Sequence, residues 1–185
     1  MSTNAFLDQL NNTTPEGGNG IIVRRPIQLL DWYLAATGAA LTTTTSTNPG
    51  MGKIDTGMTG IIADADAVGE VGLTFHVPSD YDATSDHLKL RLRAMMNGST
   101  DTPGFDVQAY HSDDGTTDLA PSDIGDLGAT LAWVETDLSS KGLDYGDTLE
   151  VQITPQAHST DVIQIYAAEW EYKSTIVSVL LSDRT

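Results

Sequence analysis

The sequence predicts an all-β fold: a single β-sandwich of jelly-roll-like form with about eight strands and a flexible N-terminal arm. Three observations carry this reading. Apolar and polar residues alternate with period two in several segments, most clearly over residues 87–94. Gly, Pro, Asn and Asp clusters interrupt these segments at short intervals. The composition, with 17 Gly, 39% apolar and only 19% charged residues, suits a turn-rich β-protein better than a helical bundle.

Residues 1–20 read as the arm. Asn11, Asn12, Thr13, Thr14, Pro15, Gly17, Gly18, Asn19 and Gly20 form a run of breakers. Phe6, Leu7 and Leu10 are the residues that could anchor it, on one helical turn packed against a partner. Residues 21–181 read as the sandwich. Residues 21–30 are apolar around Arg24, Arg25 and Pro26, and the proline indicates an edge or a strand start. Residues 31–40 fit a short helix as well as a strand. Residues 41–47 form a Thr-rich strand candidate that Asn48, Pro49 and Gly50 end.

Leu73, Phe75 and Val77 alternate up to Pro78. Leu88, Leu90, Leu92 and Ala94 face one way, against Lys89, Arg91 and Arg93. Phe105, Val107 and Ala109 alternate next, and residues 130–137 do so more weakly. Leu149, Val151 and Ile153 oppose Glu150, Gln152 and Thr154. In residues 162–173, Ile163, Ile165 and Ala167 lie on one face, with Tyr166, Trp170 and Tyr172 on the other. The long connections at 78–86 and 112–128 favour Greek-key or jelly-roll crossings over a meander.

Charge and motif content exclude several functions. The net charge is −17, which repels nucleic-acid backbones and anionic membranes. Residues 1–60 are nearly neutral, with Asp8, Glu16, Asp31 and Asp55 against Arg24, Arg25 and Lys53. The neutral end is therefore expected to dock and the acidic remainder to face solvent. Residues 1–20 show no basic-then-apolar pattern, so no signal peptide is expected; no apolar run is long enough to span a bilayer, and with no Cys there are no disulfides. No zinc spacing, nucleophile elbow, P-loop or dinucleotide fingerprint occurs among the motifs. The chain is expected not to be an enzyme and to need no cofactor.

Other clusters are weighed on their chemistry. Asp64/Asp66, Asp80/Asp82/Asp86 and Asp113/Asp114/Asp118 could hold calcium, but Asp in turns also bonds nearby backbone N–H groups, and no metal site is expected. Lys89, Arg91 and Arg93 could meet an acidic partner; cross-strand pairing within the sheet is the plainer reading. Trp133, Trp170, Tyr166 and Tyr172 could form a platform for sugar rings or pack in a core.

Two stretches resemble a known family. VPSDYDATSDHLKLRLRAMMNGSTDTPGFDVQAY runs strand, acidic turn, strand, polar loop, strand, and LDYGDTLEVQITPQAHSTDVIQIYAAEWEYKST carries a Gly-Asp turn into an alternating strand and then a long final one. With RRPIQLLDWYLAATGAAL as an opening strand, they are similar to the jelly-roll decoration (cement) proteins of tailed-phage capsids. The resemblance implies a virion protein on the outer capsid surface. It would bind the major capsid protein, often as a homotrimer, and stabilise the shell by bridging its subunits. Phe6, Leu7, Leu10, Arg24 and Arg25 are then the expected capsid contacts, and Tyr166, Trp170 and Tyr172 the expected subunit interface. The alternative from another class is a carbohydrate-binding β-sandwich module of a tail, fibre or secreted protein. A glycosidase fragment would instead need two carboxylates spaced across a cleft.

Overall fold

Alternation sorts the chain onto two sheets with a shared apolar interior. The computed structural model describes residues 21–175 apart from Thr56 and Ala120. The strands are β1 (Ile21–Ile27), β2 (Tyr33–Leu34), β3 (Ala39–Ala40), β4 (Gly50–Asp55), β5 (Met58–Ala63), β6 (Val71–His76), β7 (Leu88–Met96), β8 (Phe105–His111), β9 (Asp114–Asp118), β10 (Ala132–Asp137), β11 (Thr148–Pro155) and β12 (Ile163–Ser174). One sheet runs β10-β7-β12-β5-β4, with β1 also on β12; the other runs β3-β2-β6-β11-β8-β9. Every ladder between these strands is antiparallel. The chain changes sheet between β1 and β2, β3 and β4, β5 and β6, β6 and β7, β7 and β8, β9 and β10, β10 and β11, and β11 and β12. This is the β-sandwich the alternation predicts.

The inward residues of β7, Leu88, Leu90, Leu92, Ala94 and Met96, are all within 1% of fully buried. They meet Val71, Leu73 and Phe75 of β6, Leu149, Val151 and Ile153 of β11, and Phe105, Val107 and Ala109 of β8 in one cluster. Each large side chain in it contributes about 1.5–3 kcal/mol of transfer free energy.

The structure resolves one ambiguity and corrects one expectation about local structure. Residues 31–40 form no α-helix: a 3-10 turn at Leu29–Asp31 leads into the short strands β2 and β3. The Thr-rich segment 41–47 is a loop, touching β4 through one isolated bridge, Thr43 to Met51. Its hydroxyls bond locally instead. The Asn48 N–H donates to Thr45 Oγ1 (3.0 Å), and the Thr44 hydroxyl donates to the Asn48 carbonyl (3.3 Å). Such bonds compete with a ladder. The strands lie just after it, in the Gly-rich hairpin β4–β5, where a Cβ on Gly60 would run into the Ile165 carbonyl. There glycine marks close backbone approach rather than a turn.

The largest correction concerns Tyr166, Trp170 and Tyr172. The register of β12 against β7 shifts between Ile165 and Ala167, so Tyr166 is an extra, bulged residue. A one-residue slip moves every later side chain to the opposite face. Ile163 and Ile165 point inward before the bulge, and Ala168, Trp170, Tyr172 and Ser174 point inward after it. Trp170 packs 5.1 Å from Phe75, and Tyr172 6.2 Å from Tyr81, between ring centroids. The outward aromatic face expected of this strand is therefore absent. Trp170 and Tyr172 belong to the core, and Tyr166 alone is half-buried at the surface.

Phe6, Leu7 and Leu10, with the whole arm, lie outside the described residues, as does the end of the 21–181 segment beyond Thr175. Among the described residues no helix is long and apolar enough to cross a membrane.

Candidate functional site

The two sheets present outer faces of different chemistry. On the first, opposite charges alternate across four strands. Lys89 pairs with Glu135, and Arg91 with Glu169 (2.5 Å). Arg24 of β1 reaches Glu171 at 2.8 Å and Glu169 at 3.6 Å. His87 closes on Glu171 at 3.3 Å. The register puts Glu135 opposite Arg91, Arg91 opposite Glu169, and Arg24 opposite Glu171. Lys89 and Arg91 are thus spent within the sheet. Trp133, exposed on edge strand β10, lies against the Arg91 guanidinium, 4.9 Å from its ring centroid. Arg24 and Arg25 are half exposed, but Arg24 is tied to Glu171 and Arg25 lies 3.8 Å from Asp80 and over the Tyr172 ring.

The loop carboxylates are engaged within the domain, in their own turns and with neighbouring segments. Asp80 accepts from the Ser174 hydroxyl (2.8 Å) and Asp82 from the Thr84 N–H (3.1 Å). Asp86 accepts from the Tyr81 hydroxyl (2.7 Å) and the Gly142 N–H (2.8 Å). A reciprocal latch joins two loops. Asp101 Oδ2 accepts the N–H groups of Ser159, Thr160 and Asp161, and Asp161 Oδ2 accepts those of Thr100 and Asp101. The backbone donors of Asp161, Thr160 and Ser159 hold the Asp101 carboxyl below its ordinary range.

His111, Asp113 and Asp147 bring three possible metal ligands within 4.8 Å of one another. Both His111 ring nitrogens are already engaged. Nδ1 accepts the Asp113 N–H (3.1 Å), so Nε2 carries the proton and donates to Asp147 (2.9 Å). A metal would have to displace one of these bonds. Incubation with a calcium and zinc chelator is expected to move the thermal midpoint by less than about 3 °C; a larger drop would show that one of these clusters is a structural metal site.

The outer face of the second sheet is built differently. Its outward residues are Thr74 and His76 on β6, Thr148, Glu150, Gln152 and Thr154 on β11, and Asp106, Gln108 and Tyr110 on β8. Register places Gln152 between Gly72 and Gln108, and Glu150 between Thr74 and Tyr110. The centre is made of amides and hydroxyls around one carboxylate. Gln152 Nε2 donates to Glu150 Oε1 (2.8 Å), which fixes both side chains, and His76 Nδ1 meets Thr148 Oγ1 at 3.1 Å. An open groove of about 460 Å³ lies here, lined by Tyr110, His111, Thr148, Glu150, Gln152 and the β8–β9 hairpin residue Thr116. Burial and the charges of Asp118, Glu70 and Glu150 keep the Tyr110 hydroxyl protonated above its ordinary range.

Sequence reasoning placed Glu150, Gln152 and Thr154 on the polar face of their strand but assigned none of these residues to a site. The signal present was the polar half of the alternation in β8 and β11, whose outward members include neutral amides and a tyrosine and no lysine or arginine. Only pairing shows that they meet.

No family model matches this sequence, and no curated protein sequence matches it either. Among solved structures, the fold is similar to that of a xylan-binding module, CBM15, with a TM-score of 0.53 at 14% identity over 84% of this chain and 97% of that one. A family 35 carbohydrate-binding module from Clostridium thermocellum aligns with a TM-score of 0.48 at 12% identity, over 80% of this chain and 97% of that one. At such identities the likeness to the xylan-binding module is one of fold: both are β-sandwiches.

Proposed function

We propose that this chain is a non-catalytic glycan-binding module and that the outer face of the second sheet, centred on Gln152, Glu150 and Tyr110, is its binding surface. The observation that carries the reading is the chemistry of that face. Amide and hydroxyl groups, with a carboxylate as acceptor, match the paired donors and acceptors of sugar hydroxyls. A tyrosine beside them offers an apolar face with a polar tip. The groove has the size of a small-ligand site and is open rather than enclosed. On the first sheet the charges of Arg24, Lys89 and Arg91 are paired with glutamates, and the groove of about 250 Å³ beside Tyr166 is smaller and lined mainly by apolar side chains. The shared fold with a xylan-binding module supports the reading without establishing it.

The shell-binding role implied by the phage resemblance rests on residues 1–20, outside the described structure, and on an aromatic face that the bulge in β12 removes. Arg24 and Arg25 of that role are engaged in pairs within the domain.

The test is native affinity electrophoresis through gels carrying xylan, galactomannan or mixed-linkage β-glucan. At least one is expected to retard the protein. Tyr110→Ala combined with Gln152→Ala should weaken retention at least about tenfold, and Trp133→Ala on the other sheet should leave it unchanged. If no gel retards the chain, the reading fails, and pelleting with capsids stripped of their decoration becomes the experiment for the shell-binding role.

A further inference from the structure

The groove at Tyr110 stops at β11, but the same face continues over β6 to β2, where a second tyrosine is seated. Tyr33 of β2 pairs with Gly72 of β6, and Gly72 pairs on its other side with Gln152. The outer end of the Tyr33 ring sits directly above Gly72, so that a Cβ at position 72 would run into Cε2 and Cζ. Its hydroxyl lies 3.5 Å from Thr74 Oγ1. Burial first, and then the nearby charge of Glu150, raise the pKa of that hydroxyl above its ordinary value. The ring itself is only half-buried. Glycine weakens a strand interior, and here it makes room for an aromatic side chain laid onto the sheet.

We infer that Tyr33, seated on Gly72, is a second sugar-stacking position, and that the ligand is an uncharged oligosaccharide laid across the strands from Tyr33 to Tyr110. This rests on the glycan-binding reading above. Three interstrand steps separate β2 from β8, about 14 Å, which a monosaccharide cannot bridge. Thr74, Gln152 and Glu150 lie between the two rings and supply the hydrogen bonds of the middle section. The carboxylate at the centre, in a chain of net charge −17, repels uronic acids and other anionic sugars.

The experiment is titration calorimetry with xylo-, cello- and manno-oligosaccharides from disaccharide to hexasaccharide, using the full chain, Tyr33→Ala, Tyr33→Phe and Gly72→Ala, together with gels of polygalacturonate and alginate. For the unmodified chain, affinity should rise with length until both rings are covered. Tyr33→Ala should lose about tenfold for the longest oligomers while binding the shortest unchanged, and Tyr33→Phe should keep most of the gain. Gly72→Ala, which pushes the ring off its seat, should resemble Tyr33→Ala; if it does not fold, Tyr33→Ala decides alone. Equal affinities of the unmodified chain and Tyr33→Ala at every length would overturn the inference, as would retention by either anionic gel. Both results leave the glycan-binding reading standing. No affinity for any oligomer or polysaccharide overturns that reading as well.

Discussion

Trp170→Ala is expected to destabilise the fold by about 3–5 kcal/mol, lowering the thermal midpoint by roughly 10 °C, while Trp133→Ala costs no more than about 1 kcal/mol. The two tryptophans sit on neighbouring parts of one sheet, yet Trp170 is 6% exposed and packed on Phe75 whereas Trp133 is 42% exposed and lies over the Arg91 guanidinium. Removing the first leaves a cavity between the sheets that Phe75 and Tyr172 cannot fill by themselves. Removing the second exposes an arginine that keeps its pairs with Glu169 and Glu135. Denaturant unfolding followed by far-ultraviolet circular dichroism separates the outcomes. Equal and small effects would mean that the bulge at Tyr166 is absent and that Trp170 faces outward.

Glu171→Gln is the second large effect. The side chain is 10% exposed and holds Arg24, His87 and, at 3.5 Å, Arg91. Neutralising it strands part of the charge of Arg91, whose side chain is only 14% exposed. The expected loss at pH 7 is about 3 kcal/mol, at the low end for a broken buried pair because Arg24 is half in solvent. The variant should also alter the response to acid. Burial alone would raise the Glu171 pKa, but hydrogen bonds from Arg24 and His87 outweigh it and set the value below the ordinary 4.5. A carboxyl depressed on folding contributes stability that is fully present above its unfolded pKa and is lost as pH falls through the folded one. The N–H of Asp144 depresses Asp147 in the same way, and those of Asp161, Thr160 and Ser159 depress Asp101. Stability should therefore be level above about pH 5 and fall steeply below about pH 4, with a shallower fall in Glu171→Gln. An acid profile identical in the two proteins would show that Glu171 is not the group being titrated.

Much of the sandwich was legible because a half-buried strand writes its geometry into the chain. Leu88, Leu90, Leu92 and Ala94 alternate with Lys89, Arg91 and Arg93, and the structure buries the first set and pairs Lys89 and Arg91 across the sheet. β12 defeated the same reasoning. Periodicity assumes an unbroken strand, and one extra residue at Tyr166 reversed the faces of everything after it. β4 and β5 were hidden for a related reason, since their glycines answer to a backbone opposite them, such as the Ile165 carbonyl over Gly60, rather than to a turn.

By itself, then, the sequence determined the fold class, the strands with clean alternation and the acidic character that disfavours anionic partners, because these follow from local periodicity and summed charge. The tertiary structure alone decided which polar residues share a surface. Tyr33, Gly72, Gln152, Glu150 and Tyr110 are scattered over more than a hundred positions and come together only when β2, β6, β11 and β8 pair in that order. No local pattern carries that order. It is set by which apolar faces close on one another between the sheets, and the face turned to solvent is assembled as the consequence.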